Sequence, residues 1–200
     1  VQKLTRQDLH SLEDYSAMRD EFRAQIIKHK KNRVLHIGPN VTMHFEDRLV
    51  MQYQIQEMLR AEKIFEGDGI QEELDAYNPM IPDGSNWKVT FMIEFPDPGE
   101  RAVRLKELLG IEDSTYVQVS GHEKVHPISD EDLPRETADK TSSVHFMRFE
   151  LTEKMISALK EGAALSVGID HPEYKHALEA LPVSIKNSLV EDLDYKSTKV

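Results

Sequence analysis

Cysteine is absent from all 200 residues, which excludes disulfides, thiolate catalysis and Cys-ligated zinc or iron–sulfur centres. Any metal would have to be held by His, Asp or Glu, and the absence fits a reducing cytoplasm. Long apolar runs are also missing. No stretch approaches the roughly 18 apolar residues that span a bilayer, and the opening VQKLTRQDLHSLEDY lacks the apolar core of a signal peptide. A cytoplasmic protein with no membrane contact is therefore expected. Positive charge is scarce: 25 Lys and Arg against 36 Asp and Glu leave a formal charge of −11, which repels phosphate backbones and argues against a nucleic-acid partner. Phosphate-binding loops, the GxGxxG pattern, a nucleophile-elbow serine and internal repeats are absent as well, so nucleotide-binding, serine-hydrolase and solenoid readings have no support.

What is present is a chain of alternating punctuation and periodicity. Composition shows no break, so one domain over residues 1–194 is expected, with a polar tail at 195–200. Thr5 with Asp8, and Ser11 with Asp14, have the spacing of helix N-caps. Phe22, Ile26 and Ile27 form an apolar stripe on a helix whose end, Lys28 to Arg33, carries cations that complement the dipole. Gly38-Pro39-Asn40 predicts a hairpin pairing Ile37 with Val41 and Leu35 with Met43, leaving His36, Thr42 and His44 on the polar face. The segment from Asp47 to Glu66 predicts a long helix apolar on two faces, followed by a short helix and the ordered loop NPMIPDGSNW, which predicts a pocket wall or a cover for a sheet edge. Lys88 to Phe95, Thr115 to Val119, Val125 to Ile128, Ser143 to Leu151 and Ala164 to Ile169 have strand patterns. Asp170-His171-Pro172 looks like a helix start. Residues Pro127 to Ser143 predict a polar surface loop. The order of elements favours an α+β fold: a mostly antiparallel sheet, a long central helix and several shorter helices.

Candidate site residues follow from chemistry placed where a core is expected. Glu57 and Glu62 project within the two apolar faces of the long helix; a buried carboxylate must be protonated, paired with a cation or bound to metal. Arg48 and Arg60 are the nearby cations, and Glu57 with Arg60 has i,i+3 spacing. His122 and His126 flank a turn at four-residue separation, although the zincin pattern His-Glu-x-x-His is not met. His145 lies on a strand apolar on both parities and is the histidine expected to be buried, as a satisfied core group or as a ligand. Arg148 and Glu150 share the opposite face. As a set, Glu57, Glu62, His122, His126 and His145 are the candidate ligands of a non-haem divalent metal, iron or manganese, with buried ion pairs and ordinary histidine packing as the alternative. No Glu-x-x-His follows either glutamate, so the di-iron bundle signature is missing.

The segments KLTRQDLHSLEDY, FEDRLVMQYQIQEMLRAEKIFE, IQEELDAYNPMIPDGSN, GHEKVHPISDEDL, DKTSSVHFMRFEL and DHPEYKH together resemble a bacterial family known only as domain-of-unknown-function family 3501. The resemblance brings no assigned activity and no catalytic residue. Its members tend to be encoded near rubrerythrin-like non-haem iron proteins and iron–sulfur oxidoreductases, which implies an accessory or metal-dependent protein of iron redox or peroxide-stress metabolism and a protein partner from that metabolism. The alternatives are a non-catalytic interaction module, or a small-molecule-binding protein whose buried charges are structural.

Overall fold

The computed structural model describes residues 2–194, so the expected tail at 195–200 lies outside the described residues. A single turn of 3-10 helix at Arg6–Asp8 is closed by Thr5 and Asp8, which cap each other reciprocally. Helix α1, Leu12–Lys30, begins where the Ser11 hydroxyl accepts from the Asp14 amide. Strands β1 (Val34–Ile37) and β2 (Val41–Glu46) form the expected hairpin, with Ile37 opposite Val41 and Leu35 opposite Met43. Gly38 sits at φ +69° at its tip, where a Cβ would lie 2.6 Å from the His176 ring, so both conformation and space require glycine. Helix α2 (Arg48–Glu62) starts at the Asp47 side chain and stops at Lys63, which adopts a left-handed conformation. The helix is therefore shorter than its apolar pattern suggested, and at 15 residues it is exceeded by the 19 of α1.

Helix α3 (Gly67–Tyr77), a 3-10 turn at Asn78–Met80 and strand β3 (Asn86–Ile93) come next, followed by α4 (Pro98–Glu107), β4 (Thr115–Val119), β5 (Lys124–Val125), β6 (Ile128–Ser129) and β7 (Val144–Glu150). The chain closes with α5 (Glu153–Lys160), β8 (Leu165–His171), β9 (Tyr174–Leu178) and α6 (Val183–Val190). Strands assemble into a five-stranded sheet, β1-β2-β3-β7-β6, and a four-stranded sheet, β5-β4-β8-β9, both antiparallel throughout. The α+β expectation is met. Two further details differ from the sequence reading. The DHPEYKH segment is a hairpin and not a helix start: His171 ends β8, and Tyr174 returns on β9 to donate its hydroxyl to the Ile37 carbonyl at 2.6 Å. The stretch expected as one strand from Val125 to Ile128 is divided, because the chain leaves the four-stranded sheet after Val125 and joins the five-stranded one at Ile128.

Alternation within the strands sorts the charges. Leu35, Ile37, Val41, Met43, Phe45, Trp87, Val89, Phe91, Ile93, Met147 and Phe149 turn one face of the five-stranded sheet inward, into an apolar cluster shared with Val117, Val119, Val167 and Ile169 of the other sheet and with α5. His36, His44, Glu46, Lys88, Thr90, Phe146 and Arg148 have the opposite parity. A separate cluster binds α2 to α3 and the N-terminal segment through Leu4, Met51, Ile55, Leu59, Leu74 and Ile81. A third, Tyr15, Phe22 and Ile26 with Leu49 and Tyr53, binds α2 to α1. Helix α2 is thus covered on both sides, as its two apolar faces require. Among the described residues, no helix is long and apolar enough to cross a membrane.

Candidate functional site

The five residues expected as ligands are distributed over separate places. Glu57 is neutralised by Arg19 of α1, which donates Nε at 2.8 Å and Nη2 at 2.7 Å, and by the Tyr15 hydroxyl at 2.6 Å. The Arg19 hydrogen bonds hold its carboxyl down at about 2. Of the two arginines close in sequence, Arg48 pairs with Asp8, and Arg60 acts on Glu57 through its charge alone. Glu62 is exposed at the end of α2. His126 is exposed and its Nδ1 lies 2.9 Å from the Thr115 carbonyl oxygen. His122 occupies the β4–β5 turn. Among the described residues, no group of three or more His, Asp or Glu side chains is placed to hold a metal ion.

His145 is buried, as expected, with no exposed surface. Its Nδ1 lies 2.6 Å from Asp130 Oδ2, and its Nε2 faces Thr141 Oγ1 at 2.8 Å and the Ser142 carbonyl oxygen at 3.2 Å. Glu112 stands 3.8 Å from Nε2, its carboxyl raised by burial. Acid, imidazole and hydroxyl are in the order of a nucleophilic triad, yet Thr141 is only 1% exposed and no substrate reaches its oxygen in this conformation. The cluster instead anchors the polar loop expected over residues 127–143. Asp130, at φ +52°, accepts from the Phe146 amide and reaches His145, so this segment is pinned to the sheet at its start.

Pinning Asp130 places Glu131 and Asp132 over the outer face of the five-stranded sheet, where a cavity of about 500 Å³ opens between the sheet and the helices. That is the size range of a small-molecule site. Strands β2, β3 and β7 supply the floor, and Lys30 of α1, Val50, Met51 and Gln54 of α2, Tyr77 of α3, and Pro79 and Met80 of the following turn supply the walls. Of the two readings of the loop NPMIPDGSNW, a pocket wall or a cover for a sheet edge, Pro79 and Met80 fit the first, since they line this cavity.

Three charged residues cross the floor in one row, because Glu46 is opposite Lys88 and Lys88 opposite Arg148 in the strand register. Glu46 is 8% exposed and accepts from the Thr90 hydroxyl at 2.7 Å; burial raises its carboxyl above the usual range. Arg148 is held by Glu131, accepting from Nε at 2.9 Å and Nη2 at 2.8 Å, and by Glu150 at Nη1. Lys88, between them, makes no hydrogen bond or ion pair with any described residue. Its ammonium is lowered by burial first and by the Arg148 charge second. A Glu and a Lys directly opposite on one sheet face are placed to pair, and two cations directly opposite repel. Here the attractive pair is not made and the repulsive one is kept.

None of this row stood among the expected site residues, although the parity of Lys88, Thr90 and Arg148 was readable strand by strand. What was missing is the register between strands far apart in sequence.

A sequence profile described as "protein of unknown function (DUF3501)" matches residues 3–193. A crystal structure of a novel protein of unknown function from Burkholderia pseudomallei is 48% identical, covering 96% of this chain and 100% of that one, with a TM-score of 0.90. No curated protein matches. The chain belongs to the DUF3501 family of proteins of unknown function.

Proposed function

We propose that the protein binds a small organic anion with an apolar body in the cavity over the outer face of the five-stranded sheet. The observation that carries this reading is the Lys88 ammonium, without a hydrogen-bond or ion-pair partner among the described residues, in a concave site beside Arg148. A carboxylate entering there gains two cationic partners, and the cost of holding Lys88 and Arg148 side by side is relieved. Val50, Met51, Met80 and Phe146 offer apolar contact to the remainder of the ligand. Glu131 is the internal competitor: it occupies the guanidinium edge that an incoming carboxylate would take, and its side chain is 48% exposed, so it can swing into solvent.

Such a site needs no metal. Glu57 is satisfied by Arg19 and Tyr15, and His145 by Asp130, Thr141 and Ser142, so the buried charges that suggested a metal centre have protein partners. A role beside iron-redox proteins, which the family resemblance implies, would then be that of a ligand-binding accessory. Calorimetric titration with aliphatic and aryl carboxylates, repeated on Lys88→Met, tests the assignment. Saturable binding that weakens at least about tenfold in the variant, the ~1.4 kcal/mol expected at minimum for a lost charge-assisted contact, is the expected result. Absence of binding by every carboxylate, or equal affinity in the variant, would overturn it.

A further inference from the structure

We propose that Lys88 is a carbonyl-reactive lysine that forms an imine with an organic anion bearing an aldehyde or ketone, most simply a 2-oxo acid. The inference rests on the anion-binding reading and adds covalent chemistry to it. Three placements carry it. Lys88 lines the cavity from the middle strand of the floor, so a ligand held there presents its atoms to Nζ. Among the described residues no hydrogen-bond or ion-pair partner occupies its nitrogen, whereas Arg148 is tied by two carboxylates. Its cross-strand neighbours are a cation on one side and a buried acid on the other.

Imine formation asks for those surroundings. A lysine is nucleophilic only without its proton, and a desolvated site beside a second cation favours the neutral amine; both influences act on Lys88 in that direction and outweigh the Glu131 and Asp83 carboxylates, which act against them. Arg148 orients the carboxylate of a 2-oxo acid so that the adjacent carbonyl carbon faces the lysine. The Nζ lone pair adds to that carbon, a C–N bond forms, and the carbonyl π electrons pass to oxygen, which takes one of the two Nζ protons. The hydroxyl is then protonated and leaves as water, and the nitrogen retains one proton as the iminium. Glu46, on the same floor one strand over, holds its proton to a higher pH than an exposed carboxyl and can donate it to the departing oxygen. No oxidant or reductant is needed.

The test traps the imine. The full chain is incubated with pyruvate or phenylpyruvate, reduced with borohydride, weighed intact and mapped by peptide mass spectrometry. In parallel, 3-phenylpropionate, which has the carboxylate and no carbonyl, is followed by calorimetry. One reduced ligand per chain, located on Lys88 and lost in Lys88→Arg, is the expected result. Adducts spread over several lysines, or none with either oxo acid, overturn the proposal. Binding of 3-phenylpropionate without any adduct removes the imine and leaves the anion site standing; no binding and no adduct removes both. Because the adduct is located in the unsubstituted protein, the outcome does not depend on how well the variant folds.

Discussion

Replacing Glu57 by glutamine keeps the shape of the side chain and removes the charge that Arg19 grips from two nitrogens and Tyr15 from its hydroxyl. The size of the loss can be worked from the carboxyl, which lies at about 2 in the folded protein against 4.5 for an unperturbed glutamate. At ~1.4 kcal/mol per unit that displacement corresponds to roughly 3 kcal/mol at neutral pH. Solvent reaches part of both side chains, 27% for Arg19 and 24% for Glu57, and its screening reduces the figure to roughly 1–2 kcal/mol. For a chain of this size that is about 2–8 °C in Tm. The sign with pH is fixed: the folded value is depressed, so the stabilisation is fully present above about 4.5 and is lost as pH falls towards 2. Urea unfolding of wild type and Glu57→Gln from pH 7 down to pH 3 is the assay. The two stability curves are expected to converge on the acid side. A constant gap across that range would refute the ion-pair account of Glu57, as would a loss at pH 7 too small to measure.

Two further perturbations address other parts of the structure. Removing the internal competitor by Glu131→Ala is expected to tighten carboxylate binding about 1.5–5-fold in a calorimetric titration, because an exposed ion pair is worth about 0.2–1 kcal/mol; weaker binding would show that Glu131 builds the site and does not compete for it. Arg33 is 2% exposed, is paired with Asp192, and donates to the Phe45 carbonyl at 3.0 Å and the Glu46 carbonyl at 3.2 Å, so Arg33→Met is expected to cost about 3–5 kcal/mol in urea unfolding by stranding a buried carboxylate; a loss under 1 kcal/mol would mean that the C-terminal segment docks without it.

Much of the scaffold was legible because its signals are local. The hairpin register at Gly38 follows from a turn with glycine geometry and strict two-residue alternation, and Ser11 caps the helix it precedes. Local signals also misled. A proline after His171 serves a tight hairpin turn as readily as a helix start, and the choice was made by Tyr174, whose hydroxyl reaches the first hairpin far back in the chain. Extending the helical period to Glu66 overran the helix, which the left-handed Lys63 ends, leaving Phe65 71% exposed.

The cavity residues were hidden for a different reason. Glu46, Lys88 and Arg148 become neighbours only through pairing of β2 with β3 and of β3 with β7, and no periodicity within one strand reports that register. The same holds for Glu57: its arginine came from α1, across a helix pair, and not from the next turn of its own helix. Polar residues on Pro127 to Ser143 gave no sign that one of them, Asp130, reaches a buried imidazole while its neighbour covers an arginine on the cavity floor.

The anion site is tested most directly by a crystal structure of the protein grown with the carboxylate that binds it most tightly. The expected result is a ligand carboxylate within hydrogen-bond distance of both Lys88 Nζ and the Arg148 guanidinium, with Glu131 turned away. A ligand bound elsewhere, with Glu131 still on Arg148 and Lys88 still unpaired, would contradict the account.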